Sequence, residues 1–237
     1  MIDYVELMGF GPRGWGLLLL RATLMTVAVS ATAFALGSVI GALLAWARIE
    51  GRRPLQFAAD AYTTVLRGIP DLLVIYLLYF GGSSALTAVA HMLGATGFVG
   101  VDAFTAGAIA VGIIAGAYQG EVFRGAYQAI SRGELEAARA VGMPRGLMFR
   151  RIIVPQALRF ALPGLGNVWQ LALKESGLIS VVGLTEILRQ AQVGAGSTRQ
   201  PFAFFITAAA LYLMLSTVSG WGFQRAEAVA MRGVRRA

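Results

Sequence analysis

The sequence has no cysteine, a single histidine and a single lysine. Without cysteine the chain cannot form disulfides, iron–sulfur clusters or thiolate zinc sites. The one histidine, His91, cannot build the cluster of imidazoles that a metal would need. We therefore expect no metal site, and a zinc-dependent intramembrane enzyme is excluded.

Charged residues are also scarce. They make up only 14% of the 237 residues, whereas a soluble domain has about 25%. Hydrophobic residues make up 57%, and the mean hydropathy is +0.68. A chain with so few polar side chains cannot coat a water-soluble globule, and it is too hydrophobic to be disordered. The composition therefore argues against a cytosolic enzyme.

The net charge of +8 comes almost entirely from arginine, because Lys174 is the only lysine. A basic chain often binds nucleic acid, but here the charges lie in short stretches between long apolar runs. That distribution is typical of the loops of a membrane protein. We expect a lipid bilayer, and not a nucleic acid, as the surrounding partner.

The apolar runs predict five transmembrane helices in a single all-α domain that covers residues 1–237. Residues 22–47 and 202–224 carry no charge, and each run is long enough to cross a hydrocarbon core of about 30 Å. The predicted spans lie at about 16–47, 58–82, 103–124, 152–174 and 202–226.

Two of the predicted spans contain signs of a break. Pro70 disfavours helix at the preceding residue, and Arg67 and Asp71 flank it. Lys174 and Glu175 interrupt the fourth span. Discontinuous membrane helices are tolerated where they line a protein cavity. We expect Arg67 and Asp71 to stabilise the backbone groups that the Pro70 break leaves free.

Glycines recur every fourth residue in the third span, at Gly112, Gly116 and Gly120. The first span contains the pair Gly37 and Gly41. Small residues at this spacing let two helix backbones approach closely. Both spans therefore present a face for close helix packing.

Loop charges predict the orientation. The N-terminal segment has a net charge of −1, the loop after the first span +2, the loop after the third span +4 and the C-terminal tail +3. Positive loops remain in the cytoplasm. The N-terminus is therefore predicted to lie outside and the C-terminus inside, which agrees with an odd number of spans.

The loop after the third span is the most polar part of the chain and predicts a short helix at about 132–141. Ser131 and Glu134 have the spacing of a capping box. Gly142 and Pro144 form a stop signal. Small alanines would let such a helix seat in a groove of another protein. A solvated amphipathic helix fits the spacing equally well.

This loop resembles the EAA loop of ABC-importer permeases. The matching residues are Glu136, Ala137, Ala138, Gly142, Ile152 and Pro155, with Glu134 two residues before Glu136. The resemblance implies that Glu134, Glu136, Ala137, Ala138 and Gly142 couple the chain to an ATPase, through a cytoplasmic coupling helix.

Further segments are similar to the polar amino acid uptake branch of that family. They are Arg67-Gly-Ile-Pro-Asp-Leu, the run from Ala117 to Gly125 and the run from Leu162 to Asn167. The segments 173–180 and 197–202 look closest to histidine, lysine–arginine–ornithine and opine permease subunits. The resemblance covers nearly the whole chain.

The resemblance implies a type I importer permease in the bacterial inner membrane. Its partners would be two ATP-binding cassette subunits, a second permease that is identical or homologous, and a periplasmic or tethered solute-binding protein. No P-loop is present, because Lys174, the only lysine, is followed by Glu175. This chain is therefore expected to bind no cofactor and to have no enzymatic activity, and the partner ATPases would use ATP and magnesium.

Charges within membrane spans are functional candidates, because burying them in lipid is expensive. Glu175, and more weakly Glu121, are candidates to line the substrate pathway and attract a cationic side chain. A salt bridge that holds the broken helix explains Glu175 equally well, and Glu121 can simply pair with Arg124. Asn167, Gln170 and Lys174 lie on the same span and complete the candidate pathway, although Asn167 and Gln170 can also form ordinary interhelical bonds.

The sequence thus predicts a permease subunit for polar, basic amino acids or opines, such as histidine, arginine, lysine, ornithine, octopine or nopaline. Two alternatives stay open. One is a permease of the same family for a neutral or acidic amino acid. The other is a stand-alone secondary carrier, for which five spans without an internal repeat are few and the polar loop would have no role.

Overall fold

A computed structural model of the chain describes residues 4–232. Eleven α-helices make up most of these residues, and no β-strand occurs among them. In chain order the helices are α1 (Tyr4–Met8), α2 (Gly16–Glu50), α3 (Arg53–Gly68), α4 (Asp71–Tyr76), α5 (Gly82–Met92), α6 (Ala103–Gln128), α7 (Arg132–Ala140), α8 (Arg145–Met148), α9 (Val154–Glu175), α10 (Ile187–Thr198) and α11 (Pro201–Ala230).

Three irregular turns connect some of these helices. A π-helical turn, Leu77–Gly81, joins α4 to α5, and a second, Phe149–Ile153, joins α8 to α9. A 3-10 helix, Ser176–Val182, follows α9. The all-helical fold that the composition predicts is confirmed.

The centre of the molecule is the close packing of α2 against α6. An added Cβ at Gly37 would lie 3.0 Å from the Cβ of Ala115, and one at Gly41 would lie 2.8 Å from the backbone N of Gly120. From the other side, a Cβ at Gly116 would meet the Ile40 side chain at 2.7 Å. The glycine faces predicted from spacing are therefore in contact.

The remaining core forms where α4, α9 and the 3-10 helix meet this pair. Val29, Ile75, Val111 and Ile179 are fully or almost fully buried and belong to one cluster. Because Ile75 of α4 and Ile179, which follows α9, belong to this cluster, α4 and the end of α9 lie next to the central pair.

The second predicted span differs from the structure. The chain breaks at Ile69 and Pro70 as predicted, but α3 before the break is a separate amphipathic helix with few buried residues. The apolar segment follows the break, at Asp71–Met92. It therefore includes residues 83–92, which lie outside the predicted second span. The predicted bounds differ because the average hydropathy over 58–82 combines the end of α3 with the start of α4.

Four helical segments among residues 4–232 are long and apolar enough to cross a membrane: Gly16–Glu50, Asp71–Met92, Ala103–Gln128 and Pro201–Ala230. The predicted fourth span coincides with α9, whose polar residues, among them Arg159, Asn167 and Gln170, lower its hydropathy. The count of five spans and the orientation stay predictions. The tail charges Arg235 and Arg236, and Asp3 at the other end, lie outside the described residues.

Candidate functional site

The helix α7 is anchored on its own chain by one face. Leu135 and Ala138 are buried, and they pack with Ile130, Met148 and Ile153. Glu136 and Ala137 lie on the opposite, exposed side. A helix is therefore present at Arg132–Ala140, within the predicted 132–141, and its exposed side carries an acidic residue and a small residue while its other face is fixed.

Gly142 ends this helix through a left-handed turn. Its φ is +73°, a conformation that residues with a side chain adopt only at a cost. The Gly142 N–H donates to the Arg139 carbonyl at 2.9 Å, and the Met143 N–H donates to the Ala138 carbonyl at 3.0 Å. These bonds satisfy carbonyls at the end of the helix, so the stop signal in the sequence is confirmed.

The capping box predicted at the start of α7 is wrong. The Ser131 side chain makes no capping hydrogen bond. Glu134 instead accepts a hydrogen bond from the Gln156 side-chain amide at the start of α9. Glu134 therefore bonds to a residue of another helix and not to the backbone at Ser131. This bond connects α7 to α9.

An ionic cluster joins three helices beside this loop. Arg48 of α2 contacts Asp60 of α3 at 2.5 Å and Glu121 of α6 at 2.5 Å. Glu121 also contacts Arg124 at 2.8 Å. The Glu121–Arg124 pair predicted from spacing is confirmed, whereas Arg48 and Asp60 carry no signal in the sequence that links them to Glu121.

Glu175 lies at the end of α9 and is almost fully buried, with 4% of its surface exposed. Neither carboxylate oxygen has a hydrogen-bond partner among the described residues. The neighbouring acid is Asp71, which begins α4 directly after the Pro70 break. Lys174 is exposed and forms no ion pair within residues 4–232. One carboxyl group at the end of α9 and one at the start of α4 therefore lie near each other. Neither forms an ion pair within residues 4–232.

The other candidates on the pathway have different environments. The Gln170 amide donates to the Ser216 carbonyl at 2.9 Å, which is an ordinary bond between α9 and α11. Asn167 is exposed. The Arg67 guanidinium lies 5.2 Å from the centre of the Tyr118 ring.

The role of Arg67 and Asp71 in stabilising the Pro70 break stays a prediction, and the structure gives each side chain a tertiary neighbour. Arg67 reaches the ring of Tyr118 and Asp71 neighbours Glu175, and both partners are distant in sequence.

One buried carboxylate escaped the sequence interpretation altogether. Glu186 is completely buried and accepts the backbone N–H groups of Leu188 at 2.9 Å and Arg189 at 2.7 Å, which begin α10. The Tyr212 hydroxyl donates to it at 2.7 Å. The available signal was an isolated acid directly before a helical segment, which is the position of an N-cap.

The residues that the structure describes contain no group of three histidines, cysteines or acids that could hold a metal ion. The structure has a short helix, α7, with one exposed side, together with a bundle of helices long enough to cross a membrane. The buried Glu175 and the half-buried Asp71 lie where α9 ends and α4 begins. The helices of membrane length indicate an integral membrane protein.

Comparison with known proteins leads to the same class and narrows it. Residues 37–227 match the family "Binding-protein-dependent transport system inner membrane component". The chain therefore belongs to this family, and it is a multi-pass protein of the bacterial inner membrane.

Individual relatives cover nearly the full length. The chain is 60% identical to "Octopine transport system permease protein OccQ" of Rhizobium radiobacter, over 99% of each chain. It is 38% identical to "Histidine/lysine/arginine/ornithine transport system permease protein HisQ" of Escherichia coli (strain K12), over 94% of this chain and 98% of that protein.

A solved structure agrees with the fold. The chain superposes on one described as "Crystal structure of an amino acid ABC transporter with histidines", with a TM-score of 0.78 and 30% identity, over 96% of this chain and 98% of that one. The resemblance to ABC-importer permeases and to the opine and basic amino acid branch is confirmed.

Proposed function

We propose that this chain forms the translocation pathway of an ATP-driven importer for basic amino acids or opines. The single observation that carries the substrate class is the buried Glu175 beside the half-buried Asp71, since neither carboxyl group forms an ion pair within residues 4–232. A buried carboxylate without a partner is strongly unfavourable. A substrate with a guanidinium or ammonium group would supply the missing charge. The names of the octopine and histidine/lysine/arginine/ornithine relatives support the same class.

Within this proposal Glu175 binds the cationic group of the substrate, and Glu121 belongs to the ionic cluster that supports the pathway at the coupling side. Gln170 fixes α9 to α11 through Ser216. Asn167 and Lys174 lie exposed on α9, where a second permease subunit would close the cavity around the substrate.

The chain itself would bind no cofactor, and ATP with magnesium would be used by two ATP-binding cassette subunits. Glu136 and Ala137 would contact one of these subunits directly. Ala138, Glu134 and Gly142 would hold the helix rigid, through burial, the bond to Gln156 and the left-handed turn. A helix fixed at three points can transmit a displacement as a rigid body.

The remaining parts of the assembly follow from the same arrangement. We place five spans in the membrane, with α9 as the fourth, the N-terminus outside and the coupling helix in the cytoplasm. A second permease, identical or homologous, would complete the pathway. A periplasmic or tethered binding protein would deliver the substrate from outside. ATP binding would close the ATPases and rock the permeases outward, and hydrolysis would reset them inward.

Radiolabelled uptake tests this function. A strain that lacks the system would carry this gene and its neighbouring genes, with arginine, histidine and octopine as substrates. We expect uptake of at least one of them, abolished by Glu136→Lys while the protein still reaches the membrane. Glu227→Lys, on α11 and outside the coupling helix, is the matched charge reversal and should retain uptake.

The alternatives correspond to defined results. Uptake of neutral or acidic amino acids alone would replace the basic substrate class and leave the coupling role intact. Uptake that survives Glu136→Lys would contradict the coupling role and favour a stand-alone carrier.

A further inference from the structure

A large groove opens between α2 and the start of α9, away from the acidic pair. Its volume is about 950 Å³, which is at the upper end of the range for small-molecule pockets. One wall is the end of α2, from Ala42 to Glu50, and the facing wall comes from Phe149 to Leu158. Most of the lining is apolar, so the groove does not match a polar amino acid substrate.

The groove is apolar at one end and charged at the other. Along α2 it starts at Ala42 and ends at Glu50, a distance of about 12 Å for a helical rise of 1.5 Å per residue. That length is close to the thickness of one leaflet, about 15 Å. The side chains of Arg139 and Arg145 line the groove at its loop end. On the facing wall, this is the end where α9 gives way to the π-helical turn and α8.

The charges at the loop end favour an anion. Arg139 and Arg145 form no ion pair within residues 4–232, and neither does Glu50, the one acid that lines the groove. The net charge of Arg139, Arg145 and Glu50 is +1, and it lies beside an apolar groove about as long as one leaflet is thick. Basic pockets between membrane helices bind anionic lipid headgroups. Trp46, with 57% of its surface exposed, lies on the same wall, as an aromatic residue at a membrane interface does.

We infer that this groove binds one anionic phospholipid, with an acyl chain between α2 and α9 and the headgroup at Arg139 and Arg145. The bound lipid would lie between the end of α2 and the coupling loop, because Arg139 is on α7 and Arg145 begins α8. Anionic lipid would therefore connect the coupling helix to the first membrane helix.

Fluorescence quenching tests this site. The full chain, co-expressed with its partner subunits, is placed in nanodiscs of phosphatidylcholine that contain a minority of brominated lipid, either phosphatidylglycerol or phosphatidylcholine. The Trp46 signal is the difference between the chain and its Trp46→Phe variant. Trp221, which is 61% exposed on α11 and does not line the groove, gives the matched control signal through Trp221→Phe.

We expect the apparent affinity at Trp46 to favour brominated phosphatidylglycerol about fivefold, the preference that one uncompensated arginine near an anionic headgroup supplies. The Trp221 ring lies 4.9 Å from the Arg225 guanidinium, so any preference at Trp221 comes from Arg225 and should be the same in Arg139→Gln with Arg145→Gln. Arg139→Gln with Arg145→Gln should abolish the preference at Trp46. Arg150→Gln with Arg151→Gln removes the same charge from neighbouring exposed residues that do not line the groove, and it should retain the preference.

Three results would overturn the inference. The first is equal quenching of Trp46 by both brominated lipids, and the second is a preference that survives the Arg139 and Arg145 changes. The third is no quenching by either lipid, which would mean that a protein subunit covers the groove. Where the double variant does not assemble, Arg145→Gln alone is used, because Arg145 lies outside α7. It should reduce the preference of Trp46 for brominated phosphatidylglycerol.

Discussion

Gly41 of α2 lies directly against Gly120 of α6, so that a Cβ on Gly41 would be 2.8 Å from the backbone N of Gly120 and 2.8 Å from the Cβ of Gln119. No real Cβ is found so close to a backbone atom, and the two helices would have to separate. Because this pair forms the centre of the bundle, the contact limits how the whole chain packs.

Gly41→Ala should therefore lower the stability of the folded chain by about 1–3 kcal/mol, the usual effect of overpacking. The measurement is the temperature at which the detergent-solubilised protein loses its monodisperse elution. Gly222→Ala is the control, because a Cβ there meets nothing within 4 Å. An equal effect of both changes would contradict the packing explanation.

Gly142→Ala should weaken the coupling helix by about 1 kcal/mol, because alanine is strained at a φ of +73°. We expect ATP hydrolysis by the assembled complex to respond less to transported substrate. Gly133→Ala, inside the same helix, has only a contact of 3.7 Å and should leave the coupling unchanged. Normal coupling in Gly142→Ala would show that the helix end need not be rigid.

Glu175→Gln should raise the concentration of arginine needed for half-maximal uptake, because the cationic group loses its buried counter-charge. Competition by a neutral amino acid should become stronger relative to arginine. Glu227→Gln removes a carboxylate from α11, outside the proposed pathway, and is the matched control that should leave the ratio unchanged. An unaltered ratio in Glu175→Gln would place cation recognition elsewhere.

Arg48→Met should destabilise the chain more than Asp60→Asn does. The Arg48 side chain is only 11% exposed, and its loss leaves Glu121 with Arg124 as its one ion-pair partner among residues 4–232, whereas the Asp60 side chain is 59% exposed. We expect about 1–3 kcal/mol for the arginine and less than about 1 kcal/mol for the aspartate. Thermal unfolding of both variants and of the double variant measures the interaction free energy between Arg48 and Asp60. Equal effects of the two single changes would contradict the burial argument.

Asp102 should make the start of α6 sensitive to acid. Hydrogen bonding from Thr105 to its carboxylate lowers the pKa of Asp102 below the ordinary value. A lowered pKa means that this stabilisation is full above the pKa of the unfolded chain and is lost as the pH falls through the folded value. Asp102→Ala should cost about 1 kcal/mol at neutral pH and progressively less in acid. A cost that does not change with pH would show that the carboxylate charge plays no part in the cap.

Local signals in the sequence gave the correct helix ends where the responsible residues are neighbours. Pro70 breaks the chain, and Gly142 ends α7, because each acts through its own backbone. The capping box at Ser131 failed because Glu134 found Gln156, which no local pattern contains. The apolar segment lies at Asp71–Met92 and not at 58–82, because a hydropathy average runs across the break that Pro70 marks.

The sequence by itself determined the membrane setting, the all-helical class, the glycine faces and the short helix of the polar loop, because composition and short-range spacing specify them. The tertiary structure decided which charges meet. Arg48 reaches Glu121, Asp71 neighbours Glu175, and Glu186 caps α10 beneath Tyr212. Each of these contacts joins two different helices, so it depends on how the helices pack together, which no local pattern specifies.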